Sequence, residues 1–333
     1  SGTIINDNGN AVMADKIELF KEGTTTPGGR YPLSLPCGAR TFLTGGLSAF
    51  LRGCPLRSQC YSTAGKQNCQ RIFAAVENFS KKRYTDSKLC GNEEWTMNQL
   101  LEEKIAAWRH RTIVVLGLGV SNRPLVRLLL ENGCHVIGCD RTPREKLDAE
   151  VLDLEVKGAE LRVGDGYLDN LPADLVFRTP GMHPNTPALT ALRQRGAEIT
   201  SEMEIFFEVC PCTLLAVTGS DGKTTTTTLI AKMLQAAGKT VWLGGNIGTP
   251  LLPQVNEMHP EDYAVVELSS FQLMDMRRSP HVAVVTNLAP NHLDIHKDME
   301  EYVEAKKNIF RFQKAGDLLI LNHDNAITDG FTG

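Results

Sequence analysis

The chain has 333 residues, 42% of them hydrophobic, and a formal charge of −4, enough length for two domains of common size and enough apolar residues to give each a core. A weak negative charge excludes the electrostatic footprint of a protein whose main partner is nucleic acid. No apolar run approaches the roughly 20 residues that span a bilayer, and the polar opening "SGTIINDNGN" lacks a secretory pattern, so the expectation is no membrane insertion and a cytoplasmic location.

Residues 1–96 carry five of the nine cysteines, recurrent Pro-Gly and Gly-Gly pairs, and neither a sustained strand period nor a sustained helix period. No fold is recognisable in them, and the expectation is a stretch that is disordered or not native to the protein. Glu93 and Glu94 can be encoded by GAG-GAG, a purine-rich ribosome-binding sequence just ahead of Met97, which makes Met97 the expected natural start and 1–96 translated upstream DNA. The alternative is a small cysteine-containing domain. The odd number of cysteines, with no C-x-x-C pair, fits free thiols in a reducing compartment, and Cys134, Cys139, Cys210 and Cys212 read as small buried hydrophobes.

From residue 97 the pattern changes. "TIVVLGLG" (112–119), "HVIGCD" (135–140) and "ADLVFR" (173–178) read as strands, with helices over "NRPLVRLLLENG" (122–133) and 186–195. Short β-branched runs alternating with helical patterns argue for an α/β fold of parallel strands and crossover helices. "GLGVSN" (117–122) approximates a dinucleotide fingerprint, with Asp140 about twenty residues on and Asn122 in place of the last glycine. That geometry suits any ligand with a pyrophosphate, a nicotinamide cofactor or a nucleotide sugar alike, and a plain strand-to-helix turn is the alternative. A domain boundary is expected near 208–212, at "EVCPC".

A second series follows: strands at 213–219, 239–244, 263–269, 281–287 and 317–322, and helices at 223–237 and 299–312. In "GSDGKTT" (219–225), Gly219 and Gly222 allow a tight turn that aims backbone N–H groups at phosphate oxygens. Lys223 adds a charge, Thr224 offers a hydroxyl to Mg²⁺, and the following helix contributes its dipole. The commonest phosphate-loop spacing is not met, because Val217 stands where its first glycine would. Glu267 and His292 each follow a strand, which in an open parallel sheet places them toward the same crevice and a metal. The alternatives are a solvated Glu and a structural His; of the three polar residues in "HLDIH" (292–296), only His292 is singled out. The chain ends at "HDNAITDGFTG" and reads as cut off.

"AVTGSDGKTT" (216–225), "GGNIGTP" (244–250), "ELSSFQL" (267–273), "NHLD" (291–294) and "YVEAKKNIF" (302–310) stand in the order and spacing of the ATP-dependent Mur ligases of peptidoglycan synthesis, which the chain resembles over 97–333. "ELSSFQL", "GLGVS" and "RTPGMHPNTP" (178–187) resemble the branch that adds D-glutamate to UDP-N-acetylmuramoyl-L-alanine. The resemblance implies a Rossmann-like domain over 97–209 for the UDP substrate, an incomplete P-loop-type parallel-sheet ATPase domain over 210–333, and an absent C-terminal amino-acid-binding domain. It implies a monomer that makes an acyl phosphate with ATP and two Mg²⁺ ions, and a fragment that by itself does not turn over.

By the same resemblance Gly219, Ser220, Asp221, Gly222, Lys223, Thr224 and Thr225 hold ATP. Thr224, Glu267, His292 and Lys306, the last as a carbamate, ligate metal, and Lys223, Lys306 and His292 are catalytic. Val120, Ser121, Asp140, Arg141, Thr142, Thr179 and Asn246 border the UDP substrate. Carbon dioxide adds only to a neutral amine, so the site must depress the Lys306 pKa. Asn291 stands where the family has Asp, which leaves no carboxylate there.

Overall fold

The computed structural model describes residues 2–5, 11–14, 98–290 and 296–332. Two short strands, β1 (Gly2–Ile5) and β2 (Ala11–Ala14), pair antiparallel. Over these residues the chain forms paired strands where the sequence shows no sustained period. The rest of 1–96, with Met97, lies outside the described residues.

Helix α1 (Gln99–Trp108) starts where the Asn98 side chain accepts from Leu101 N–H and buries Leu101, Ile105 and Trp108 on one face. Five parallel strands follow: β3 (Thr112–Leu116), β4 (His135–Asp140), β5 (Glu160–Val163), β6 (Leu175–Phe177) and β7 (Glu198–Thr200). Their spatial order is β5-β4-β3-β6-β7, the arrangement of a doubly wound dinucleotide fold, with the reversal between β3 and β6. The strands next to that reversal are continuous apolar runs because helices cover both faces. The connecting helices are α2 (Asn122–Glu131), α3 (Ala149–Val156), α4 (Pro187–Gln194) and α5 (Glu202–Val209).

The second sheet is built from β8 (Thr213–Thr218), β9 (Val241–Gly245), β10 (Tyr263–Glu267), β11 (Val282–Val285) and β12 (Leu318–Asn322). Its order is β2-β1-β12-β11-β8-β10-β9; β12 through β9 run parallel, and β1 joins β12 antiparallel. Its helices are α6 (Lys223–Ala236), α7 (Ser270–Leu273), α8 (Met299–Arg311) and α9 (Ala326–Asp329). β8 sits between two strands made later in the chain, so the loop at its carboxyl end opens onto a switch-point crevice. No helix among the described residues is long and apolar enough to cross a membrane.

The two sheets share an apolar core in which Phe177 and Phe206 of the first unit cluster with Leu252 and Leu268 of the second. Glu202, the first residue of α5, is buried at this junction and accepts from Leu252 N–H at 3.0 Å. Burial pushes its carboxyl up to about 7 against the opposing pull of that N–H. Cys134, Cys139 and Cys212 are buried free thiols and Cys210 is half-buried.

Candidate nucleotide site

The fully buried β8 delivers the chain into the loop at Thr218. Gly219 has φ +153°, and a Cβ there would stand 1.9 Å from Thr286 Oγ1 and 3.1 Å from Asn287 O, so the chain can pass only as glycine. The segment after β11 grips the loop from outside. Ser220 N donates to Asn287 O (2.9 Å), Asp221 N donates to Asn287 Oδ1 (2.9 Å), and Thr286 Oγ1 donates to Asp221 O (2.7 Å).

The Ser220 hydroxyl donates to Ala289 O (3.0 Å), accepts from Ala289 N (2.9 Å), and lies 2.9 Å from the Tyr302 hydroxyl. Its single proton is spent on Ala289, so Tyr302 is the donor in the last bond. These contacts narrow the expected role of the loop. The N–H groups of Ser220 and Asp221 are already engaged, and the donors suited to an anion are those of the first turn of α6, which have no intrahelical acceptor.

Lys223 opens α6 and folds back so that Nζ donates to Ser220 O at 2.9 Å. One residue on, Thr224 Oγ1 donates to Glu267 Oε2 at 2.6 Å, while Asn246 Nδ2 donates to Glu267 Oε1 at 2.8 Å and Asn246 N donates to Glu267 O at 2.8 Å. Glu267, at the end of β10, is only 1% exposed. The structure thus gathers Thr224, Glu267 and Asn246 from three elements into one polar cluster beside the helix N-terminus. A hydroxyl and a carboxylate there are hard oxygen donors of the kind Mg²⁺ accepts when phosphate oxygens and waters complete its shell. Among the described residues no group of three or more His, Cys, Asp or Glu forms a cluster that could hold a metal.

Lys306, on α8, is 2% exposed and reaches the back of the same loop. Its Nζ donates to Gly219 O (2.9 Å) and Thr218 Oγ1 (3.2 Å), and it lies 4.9 Å above the Tyr302 ring. Thr218 can accept because its own proton goes to Leu268 O at 2.7 Å. Desolvation pushes the amine down to about 7, with Lys223 acting in the same direction and Glu267 against it. Between pH 7 and 10.5 the unfolded chain holds a proton at this lysine that the folded chain does not, so stability rises with pH across that window. Lys306→Met is expected to remove that rise, about 1.4 kcal/mol per pH unit while the difference lasts. Urea unfolding of both proteins at pH 7, 8 and 9 checks it, and equal slopes would show that Lys306 keeps its proton in the fold.

Asn291 and His292 lie outside the described residues. His296, not singled out from the sequence, is buried, with Nε2 2.9 Å from Ser270 Oγ and its ring stacked on Phe271 at 5.3 Å between centroids. It ties the start of the α8 segment to α7.

In the first unit, the loop 117–122 crosses the β3/β6 reversal. Leu118 N donates to Asp140 Oδ2 and Thr142 N to Asp140 Oδ1, both at 2.8 Å. Burial opposes the Asp140 charge, but these N–H donors outweigh it and hold the carboxyl below its ordinary range. Asn122, in the place of the missing glycine, donates to Leu116 O (3.0 Å) and Gly117 O (2.8 Å) and pins the turn. Thr179 packs so closely on the loop that a Cβ at Gly117 would stand 3.0 Å from it. Val120 is 75% exposed, and Ser121 and Arg141 are exposed beside it. Asp140 and Thr142 are thus tied to the loop that holds Val120 and Ser121, with Thr179 packed on it and Arg141 between Asp140 and Thr142 in the chain, whereas Asn246 belongs to the other loop.

One residue that sequence reading missed links the two. Arg178, at the end of β6, is 1% exposed and pairs with Asp275 beyond α7. A single arginine in a Pro-Gly-rich stretch carries no sequence signal of burial.

Residues 217–332 match the family described as Mur ligase middle domain. Over 238 residues the chain is 51% identical to a protein of Acetivibrio thermocellus named UDP-N-acetylmuramoylalanine–D-glutamate ligase, a match covering 71% of this chain and 51% of that protein. A protein of the same name from Clostridium novyi is 51% identical over 222 residues, covering 66% and 48%. The solved structure of UDP-N-acetylmuramate:L-alanyl-gamma-D-glutamyl-meso-diaminopimelate ligase from Neisseria meningitides aligns with 22% identity and a TM-score of 0.41, covering 61% of this chain and 68% of that one. The chain spans about half the length of the curated relatives it matches.

Proposed function

The chain carries a Mur ligase middle domain and is a homologue of the UDP-N-acetylmuramoylalanine–D-glutamate ligases, and from that premise we propose that it serves ATP-dependent addition of D-glutamate to UDP-N-acetylmuramoyl-L-alanine in peptidoglycan precursor synthesis. ATP phosphorylates the terminal L-alanine carboxylate, the D-glutamate amine attacks the acyl phosphate, and phosphate leaves as the amide forms. Positioning and charge neutralisation dominate such chemistry.

The observation that carries the reading is the cluster at the N-terminus of α6, where Thr224 and Asn246 both meet the Glu267 carboxylate. Lys223 and the first-turn N–H groups bind the β- and γ-phosphates. Thr224 and Glu267 hold Mg²⁺, which neutralises phosphate charge when bound, with His292 serving a second ion. Asn246 orients the reacting carboxylate. Lys306 fits a carbamate precursor: as a neutral amine its two N–H groups satisfy Gly219 O and Thr218 Oγ1 and leave the lone pair for carbon dioxide. The surroundings of Asp140 take the UDP portion, and the chain binds both nucleotides as a cytoplasmic monomer.

Isothermal titration tests this. AMP-PNP is expected to bind only with Mg²⁺, UDP-N-acetylmuramoyl-L-alanine to bind independently, and NADH not to bind. NADH binding without AMP-PNP binding would replace this reading by a nicotinamide one.

A further inference from the structure

We infer that Arg178 is a positioning residue that fixes the UDP half-site against the ATP half-site, so that one extended substrate can reach across both. The inference rests on the function proposed above and adds to it a residue that neither loop motif contains.

Arg178 Nε donates to Asp275 Oδ2 (3.1 Å), and Nη2 donates to Asp275 Oδ1 (2.5 Å) and Phe271 O (3.1 Å). Nη1 donates to Thr179 O (3.1 Å), Pro180 O (3.3 Å) and Met182 O (2.7 Å). A cation this deep is tolerable only because the whole guanidinium fork is used.

The partners fall into two sets. Thr179 to Met182 form the turn whose first residue packs on the 117–122 loop. Phe271 and Asp275 belong to α7 and its exit, and α7 begins at Ser270, just past the Glu267 cluster, with Leu268 between them accepting from Thr218. A direct path from the UDP loop to the metal-ligand candidates therefore runs through this side chain, beside a second contact in which His183 Nε2 lies 3.4 Å from Glu301 Oε1 of α8.

Apolar packing already joins the two units, so the pair is not needed simply to hold them together, and buried ion pairs add little net stability. What a bidentate pair adds is a fixed direction as well as a fixed distance. A ligand that spans two preset half-sites loses less freedom on binding than one that must assemble them, whereas a ligand filling one half-site gains nothing.

The test compares three ligands by titration calorimetry on the full chain: UDP, AMP-PNP with Mg²⁺, and UDP-N-acetylmuramoyl-L-alanine. In Arg178→Met, the first two are expected to stay within about twofold of wild type while the third weakens about tenfold. Asp275→Asn approaches the same pair from the exposed side, is expected to shift the third ligand in the same direction by less, and decides the matter if Arg178→Met does not fold. Equal weakening of all three ligands, or a lower melting temperature with no change in binding, would make Arg178 merely structural and overturn the inference. If wild type binds UDP-N-acetylmuramoyl-L-alanine no tighter than UDP, no ligand bridges the sites, and the proposed function fails along with the inference. If wild type binds it tighter and the variants do too, only the inference fails.

Discussion

Lys223→Ala is expected to weaken AMP-PNP with Mg²⁺ by roughly a hundredfold while leaving UDP binding unchanged. Its ammonium is the cation at the mouth of the loop, held in place by Ser220 O, and it stands at the helix end whose own N–H groups carry only partial positive charge. Removing one partner of a desolvated charge contact costs roughly 2–5 kcal/mol, because the phosphate charge is left without its match. Arginine is not an equivalent: its planar fork needs room that a point charge does not, so Lys223→Arg should recover only part of the affinity. The substitution also removes a charge that depresses Lys306, whose amine should titrate higher as a result. Unchanged AMP-PNP affinity in the alanine variant would take Lys223 out of the nucleotide site.

Gly219→Ala should lower folding stability by about 3 kcal/mol, combining overpacking with a backbone conformation unfavourable to any L side chain. The new methyl would collide with Thr286 Oγ1, which holds the Asp221 carbonyl, and crowd the Asn287 backbone. Thr286→Ala in the same chain removes the worst of the collision and should restore part of the loss, so the two changes are non-additive. Urea denaturation of the single and double variants measures both effects. A single variant within about 0.5 kcal/mol of wild type, the range of neutral surface changes, would mean that the loop yields easily and is not the fixed cradle described.

The parts of this site that were legible were those governed by local rules. The β-branched run 213–218 and the strand-end position of Glu267 announce a loop and a carboxylate facing one crevice, and the structure puts Thr224 against Glu267. The partners of the loop were not legible, because Asn287 and Tyr302 come from elements far along the chain and no periodicity encodes which side chain a loop will meet. Secondary structure failed where burial is partial or uniform. β5 is a half-exposed edge and β7 has three residues, while α5 buries Met203, Ile205, Phe206 and Val209 around much of its circumference and so shows no polar face. Asp140 was located correctly at the turn, but sequence could not show that both its oxygens are committed to loop N–H groups.

The position of β8 between β11 and β10 bears on how the protein is made. The five strands of the first sheet are contiguous in the chain and can assemble as soon as residue 200 leaves the ribosome. The phosphate loop cannot, since Ser220 finds Tyr302 only 82 residues later, roughly 4–16 s at ordinary elongation rates. β8, six buried apolar and threonine residues, has neither neighbour until Tyr263 opens β10, and it lacks β11 until Val282. The nascent second sheet is therefore the stretch most exposed to misassembly, because its central strand waits for partners made later in the chain.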